Sequence, residues 1–390
     1  MCGIIGVVRR PGRRVSPSLD DLVARLRAAR DDLVLTPGAS TVEAVARAAG
    51  HVEAVDAALR GTPGVRALLR HGTAATGLRA LAADTTRELD AIERDLDRGA
   101  VPVAGSGELE QLNAAIVRCK DALWAVARDR LRTARAVADL ASGFELGDGA
   151  IEVLTSVQVA LSAIDRLEVR GRDSAGVHLL VRDHALDLAD PTIARLVRER
   201  EADALFRAGA VRMPNGLLSV VYKAAAEIGE LGDNVAALRA QIAADALLHL
   251  ALARDDARAT VLGHTRWASV GIISEANAHP LNQEEVDGAR RAYVTAALNG
   301  DVDNHADLRA LDDLHIASEI TTDAKVIPTL VSQRIDAGMS VDDGFRATVA
   351  SLEGSVAIAA SSAAEPDELH LALRGSGQAL YVGLAQDSYV

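Results

Sequence analysis

Met1-Cys2-Gly3-Ile4-Ile5-Gly6-Val7-Val8 is the stretch on which the reading of this chain turns. Gly3 to Val8 is a short apolar run closed by Arg9-Arg10-Pro11-Gly12. Such a run ahead of a Pro-Gly turn reads as a buried strand, and Cys2 stands at its tip. Removal of Met1 would leave Cys2 with a thiol and a free α-amine. The amine titrates near ~8 against ~8.5 for a free thiol, so part of it is unprotonated at neutral pH and can take the thiol's proton. Position alone favours an incidental residue heading an ordinary strand, so the rest of the chain has to decide.

The bulk composition narrows the classes. The 390 residues are 49% hydrophobic but only 2% aromatic, so the interior is expected to be Leu, Val, Ile and Ala on many helices. A formal net charge of -13 argues against a nucleic-acid partner, which would need a basic footprint. The cluster Arg9, Arg10, Arg13 and Arg14 reads as a solvated loop. Cys2 and Cys119 make no disulfide framework, which suits a reducing cytosol. No apolar run reaches the ~18 residues that cross a bilayer, and the start lacks signal-peptide character, so a cytoplasmic location without membrane contact is expected.

Periodicity divides the chain. Ser18 with Asp21 three residues on is a helix N-cap ahead of Leu19, Leu22, Val23 and Leu26, and helices are expected to dominate to about residue 141. Cys119 lies on the stripe Leu109, Leu112, Ile116, Leu123 and Val126, where it reads as a small core residue. Ala141 to Ala150 is a junction rich in Gly and Asp. An amphipathic helix bearing Ile151, Leu154, Val157, Leu161 and Ile164 leads to the loop at 170–176 and a strand, Val177 to Val181. Residues 192–254 read as helical. Strands are expected at Thr260 to His264, Tyr293 to Leu298, Val356 to Ala360, Leu369 to Leu373 and Leu380 to Leu384.

Three segments have the composition of a site. Gly263-His264-Thr265-Arg266-Trp267-Ala268-Ser269 ends a strand in a turn expected to expose Arg, Trp and hydroxyls. A guanidinium there can bind a carboxylate bidentately, or lie stacked on Trp267 at the surface. In Leu298-Asn299-Gly300-Asp301, Asn-Gly reads as a tight hairpin turn, or as an amide and an N–H that donate to a developing oxyanion. Asp323 in Thr321-Thr322-Asp323 reads as a helix cap, or as the acceptor of a substrate ammonium. His264, His279, His305 and His315 share no ligand spacing on one element, so no metal site is expected among them.

A carboxylate clamp, an ammonium acceptor, an oxyanion hole and a thiol together describe free glutamine. In their order, MCGIIG at 1–6, RGRDSAG at 170–176, GHTRWAS at 263–269, Asn277-Ala278-His279-Pro280, Asn299-Gly300 with Asn304-His305, and Thr322-Asp323 resemble the class II glutamine amidotransferases. Within them the similarity is closest to the glutaminase domain of the glutamine–fructose-6-phosphate aminotransferases, the glucosamine-6-phosphate synthases. The resemblance implies an α+β, N-terminal nucleophile hydrolase fold, a four-layer αββα sandwich. It implies a discontinuous glutaminase domain of residues 1–12 and 150–390, interrupted by a helical insertion at 13–149.

It implies, further, Cys2 as nucleophile, Asn299 and Gly300 as oxyanion donors, Arg266 on the substrate carboxylate and Asp323 on its ammonium. Trp267 and Ser269 would line the glutamine pocket, with Arg170 near the nucleophile. No cofactor is implied. Fructose 6-phosphate would be the acceptor, on a sugar-phosphate domain in the same or another chain; a fragment of a longer protein is favoured, because relatives continue past this point. The chain departs from the family pattern in its helical insertion, in Arg172 where an aromatic is usual, and in Val270 and Leu298 where histidines are usual. Two other readings stay open: a different acceptor such as phosphoribosyl pyrophosphate, and a glutaminase-like fold serving as a regulatory or interaction module. The insertion could serve as a surface for a homo-oligomer or as a lid.

Overall fold

The apolar run after Cys2 forms strand β1 (Gly3–Val7). The computed structural model describes residues 2–10, 14–35, 39–102, 105–225, 230–286, 288, 291–375 and 377–383. The turn expected at Pro11-Gly12, Arg13 of the basic cluster, and Met1 lie outside them. The chain divides into two units, residues 1–10 with 140–382, and residues 11–139 with 383–390.

The second unit is helical. It comprises α1 (Leu19–Leu33), α2 (Thr41–Ala58), α3 (Gly61–Arg70), α4 (Gly72–Asp97), α5 (Ser106–Trp124), a π-helical turn (Ala125–Arg130) and most of α6 (Leu131–Ala141). Ser18 Oγ accepts the Asp21 N–H at 3.3 Å, capping α1 where the sequence predicts it, and Ser40 caps α2 in the same way. Leu22, Leu26, Val45, Val52, Leu78, Leu89, Leu112 and Ile116 are buried at helical spacing. Cys119 is wholly buried among them, and burial pushes its thiol up to about 12, which makes it an inert core residue.

The first unit carries two antiparallel sheets. After α7 (Asp148–Leu167) come β2 (Ser174–Arg182), α8 (Pro191–Glu201), β3 (Val211–Arg212), β4 (Leu218–Ala224), α9 (Asp233–Ala244), α10 (Ala246–Ala251) and β5 (Arg258–Arg266). Then follow β6 (Leu281–Asn282), β7 (Val294–Val302), α11 (His305–Leu311), α12 (Val326–Asp336), α13 (Val341–Ser351), β8 (Gly354–Ser362) and β9 (Glu365–Arg374). The strand orders are β1-β5-β2-β4-β3 and β6-β7-β8-β9. Helices α7 and α9 pack on the first sheet, α12 and α13 on the second, and β1 and β5 face β7 and β8. This is the α+β, αββα arrangement, with both inner faces buried. Among the described residues no helix is long and apolar enough to cross a membrane.

Two expectations are corrected. Residues 192–254 are not helical throughout, because β3 and β4 interrupt them. Every residue of Leu218–Ala224 is buried, so β4 has no polar face to give a period of two. The Ala-rich helix that follows hides the change of period. Residues 380–383 form no strand and Leu384 lies outside the described residues. Tyr381 is 91% and Val382 70% exposed, and a short apolar run without a sheet partner has nothing to order it.

Candidate active site

Strand pairing sets the position of the thiol. Gly3 pairs with Thr265, so Cys2 extends to the end of β5, where Arg266 leads into Trp267. The Trp267 N–H donates to Sγ at 3.2 Å, and Sγ lies 3.6 Å from the Trp267 carbonyl oxygen. Burial pushes the thiol above its ordinary range, the Trp267 N–H and the Arg266 charge pull it down, and Asp301 pushes it up. The resting thiol is therefore protonated at neutral pH and needs a base to react.

Arg266 is not exposed, contrary to the expectation from sequence; it is 3% exposed, as the last residue of a strand buried on both faces. Nor does its guanidinium lie on Trp267, whose side chain is 58% exposed. Nη1 donates to the Ile272 carbonyl at 3.1 Å, and Nη2 to those of Val270 and Gly271. The guanidinium thus closes the 267–272 turn on itself. Gly271 has φ +85, and a Cβ there would lie 2.8 Å from the Thr321 carbonyl carbon and the Thr322 nitrogen, so only glycine lets the turn pack this closely. Ile272 N–H donates to Thr321 Oγ1 at 3.1 Å, Ala268 N–H to Asp173 at 2.8 Å, and the Ser269 hydroxyl to Asp301.

Asn299-Gly300 is not a hairpin turn. It lies within β7, opposite Ala357 and Val356. Gly300 has φ +127, and a Cβ there would come within 1.8 Å of the Ser355 carbonyl oxygen, so the close approach of β8 dictates the glycine. Among the described residues the Asn299 side chain has no hydrogen-bond partner. Asp323 begins a 3-10 turn (Asp323–Lys325) ahead of α12, and its carboxylate accepts the Val302 N–H at 2.7 Å and the Thr322 hydroxyl at 3.3 Å. Burial raises its pKa, Val302 lowers it and Asp301 raises it. Asp301 therefore acts on both Cys2 and Asp323. Arg170 ends a 3-10 turn (Glu168–Arg170) with its side chain exposed, and the side-chain charges that act on Cys2 are those of Arg266 and Asp301.

Sequence reasoning assigned no role to Asp301, Asp173, Asn277 or His279, although it quoted the motifs that contain them. Asn277 Oδ1 accepts the N–H groups of Thr321 at 2.7 Å and Thr322 at 2.9 Å. His279 Nδ1 lies 3.2 Å from the Leu298 carbonyl oxygen, and Nε2 lies 3.4 Å from Thr322 Oγ1. This imidazole thus bridges the strand before Asn299 and the turn before Asp323. His264 lies beside it, ring centroids 4.5 Å apart and planes tilted by 32°; burial lowers His264 to about 3 and holds His279 well below its ordinary range. Both are neutral at pH 7. Leu298 itself joins the apolar cluster of the second sheet.

Over 229 residues, 58% of its length, the chain is 28% identical to the glutamine–fructose-6-phosphate aminotransferase [isomerizing] of Bacillus thuringiensis subsp. konkukian, of which it covers 28%. Over 157 residues it is 36% identical to the protein of the same name from Caulobacter vibrioides, covering 40% of this chain and 24% of that one. The chain resembles the glutamine–fructose-6-phosphate aminotransferases in sequence. It spans about a quarter of the length of these glutamine–fructose-6-phosphate aminotransferase relatives. The glutamine phosphoribosylpyrophosphate amidotransferase of B. subtilis is 17% identical, with a TM-score of 0.28 over 51% of this chain and 37% of that one, too low an overlap to bear on the fold. No family model matches.

Proposed function

We propose that the sandwich unit is the glutaminase of a glutamine amidotransferase, and that Cys2, freed of Met1, is its nucleophile. The observation that carries this is the thiol lying on the Trp267 N–H under the charges of Arg266 and Asp301. The α-amine takes the thiol proton and Sγ attacks the side-chain amide carbon of glutamine. Asn299 and the Gly300 N–H hold the oxyanion, each donor worth about 3–4 kcal/mol of barrier. The amine returns its proton to the leaving nitrogen, ammonia departs, and a γ-glutamyl thioester remains. Water, deprotonated by the amine, releases glutamate and restores the thiol. Asp323 takes the substrate ammonium; Trp267 and Ser269 line the pocket, with Arg170 near the nucleophile. For Arg266 to take the substrate carboxylate, it has to release carbonyls of 270–272, so glutamine binding remakes that turn.

The ammonia would aminate fructose 6-phosphate on a sugar-phosphate domain in the same or another chain, and residues 13–149 would be an insertion in the glutaminase. The test is glutamate release from glutamine, with intact mass before and after an electrophilic glutamine analogue. Wild type should lack Met1, gain one adduct and turn over; Cys2→Ala should lose at least ~10³-fold in kcat and take no adduct. Full activity in Cys2→Ala refutes the reading. The engagement of Arg266 with its own turn favours a second reading, a glutaminase-like module that binds a partner without catalysis; a wild type that keeps Met1 and takes no adduct would support that one.

A further inference from the structure

β8 and β9 lose register beside the turn that joins them. Ser362 pairs with Glu365 and Ala360 with His370, so β8 advances two residues where β9 advances five. The difference, three residues, is looped out as a bulge. It is anchored from β5 and β2: the Thr260 hydroxyl donates to the Pro366 carbonyl at 2.5 Å, and Arg182 pairs with Asp367 at 2.9 Å. On a regular strand, residues five apart point to opposite faces. The bulge instead gathers Glu365, Glu368 and His370, whose three ligand atoms lie within 4.8 Å of one another.

The imidazole is oriented as metal-binding histidines are. His370 is 7% exposed, its ring packs 5.8 Å from that of Phe345, and Nδ1 lies 3.1 Å from Asp342 Oδ1. A carboxylate on Nδ1 keeps the proton there and turns the Nε2 lone pair outward, the outer-shell contact that fixes a ligand's tautomer. That Nε2 lies 3.0 Å from Glu365 Oε2, and both atoms are buried without a hydrogen-bond partner. At this distance the pair is stable only with a proton on Nε2 or with a cation held by both atoms. Three carboxylates, those of Asp342, Glu365 and Glu368, crowd one imidazole.

We infer that Glu365, Glu368 and His370 bind a divalent first-row transition metal ion of the Zn2+ type, with Asp342 orienting His370. An imidazole with two carboxylates suits such an ion better than Ca2+ or Mg2+, which take oxygen ligands. Bonds of about 2.0–2.2 Å in tetrahedral geometry put ligand atoms about 3.3–3.6 Å apart, so atoms that lie within 4.8 Å of one another have to close by about 1.5 Å at most, which a rotamer change of the exposed Glu368 can supply. The ion ties the bulge to the outer strand of the second sheet and leaves a fourth position to water. The site is independent of the Cys2 reading.

The test uses the full chain stripped with a chelator and titrated with Zn2+, followed by calorimetry and thermal unfolding. One Zn2+ per chain with a higher Tm is expected, and Co2+ should give visible d–d bands of an N/O site. Glu368→Gln, at an exposed position, should fold normally and weaken binding at least tenfold; Asp342→Asn should weaken it about 10–100-fold, as outer-shell changes do. His370→Gln should abolish it. Zn2+ that leaves wild-type Tm unmoved, or that binds Glu368→Gln and Asp342→Asn as tightly as wild type, overturns the inference. So does an NMR titration showing His370 as an imidazolium between Asp342 and Glu365 that Zn2+ does not deprotonate.

Discussion

The helical unit and the sandwich unit are both closely packed, but they bury different chemistry. Among the described residues of the helical unit the buried polar side chains are Asp56, Thr62 and Thr85. Asp56 is held by Arg60 at 2.8 Å and Arg130 at 2.9 Å, and the Thr85 hydroxyl donates to the Leu81 carbonyl. The sandwich buries His178, Lys223, His264, Arg266, His279, Asp323 and Lys325. A buried charge costs several kcal/mol unless it is paired or neutralised. Here burial disfavours the charged form of several of them, lowering His178 and His264 to about 3 and Lys223 and Lys325 to about 7. The core of one unit is almost wholly apolar, whereas the other gives up stability to hold polar groups around Cys2 and between its sheets.

The contrast can be broken most sharply at Gly300. Gly300→Ala forces a Cβ into the Ser355 carbonyl at a positive φ, and should cost about 4 kcal/mol or more, read as loss of the folded sandwich by near-UV circular dichroism. A stable, active Gly300→Ala would show that β7 and β8 can separate and that the close approach is not needed. In the helical unit, Leu112→Ala removes a fully buried side chain of α5 and should cost about 2–5 kcal/mol in denaturant unfolding, with the rate of Cys2 alkylation in folded protein unchanged. An altered Cys2 rate would show that this core does more than stabilise.

Lys223 gives the smallest and most pH-dependent effect. Its Nζ has no hydrogen-bond partner and lies 5.3 Å from the Phe206 ring centroid. Burial lowers it from 10.5 to about 7. Between pH 7 and 10.5 the unfolded chain holds the proton and the folded chain does not, so stability rises with pH across that window and is lowest below it. Lys223→Met should remove the Lys223 share of that dependence, stabilising the chain by a few kcal/mol at most near pH 7 and by progressively less toward pH 10.5. Thermal unfolding at a series of pH values checks this. Lys325, whose Nζ donates to the Asn282 carbonyl at 2.6 Å, contributes in the same direction and stays in place, so the slope should fall rather than vanish.

Much of the fold was legible because it is periodic. The caps of α1, the stripe through Leu112 and Cys119, the core face of α7 and the apolar strands all announce themselves within a few residues. β4 did not, because a strand buried on both faces shows no alternation, and its neighbours are rich in Ala. At the site, residue types were legible and their contacts were not. Arg266 reads as a free clamp in the chain, but in the fold it holds three carbonyls. Asn299-Gly300 reads as a turn, yet it is a strand interior forced by Ser355. Asp301 was visible next to Asn-Gly, but nothing local says that its charge reaches both Cys2 and Asp323.

What the sequence by itself determined, then, is which groups are available and on which kind of element each one rides, since propensity, capping and hydrophobic period act over a turn of helix or a few strand residues. Only the tertiary structure decided which of them meet. Cys2 is joined to Trp267 by the pairing of β1 with β5, and Asn277 to Thr322 across 45 residues of chain. Those distances depend on where strands far apart in the chain come to lie, which no local pattern records.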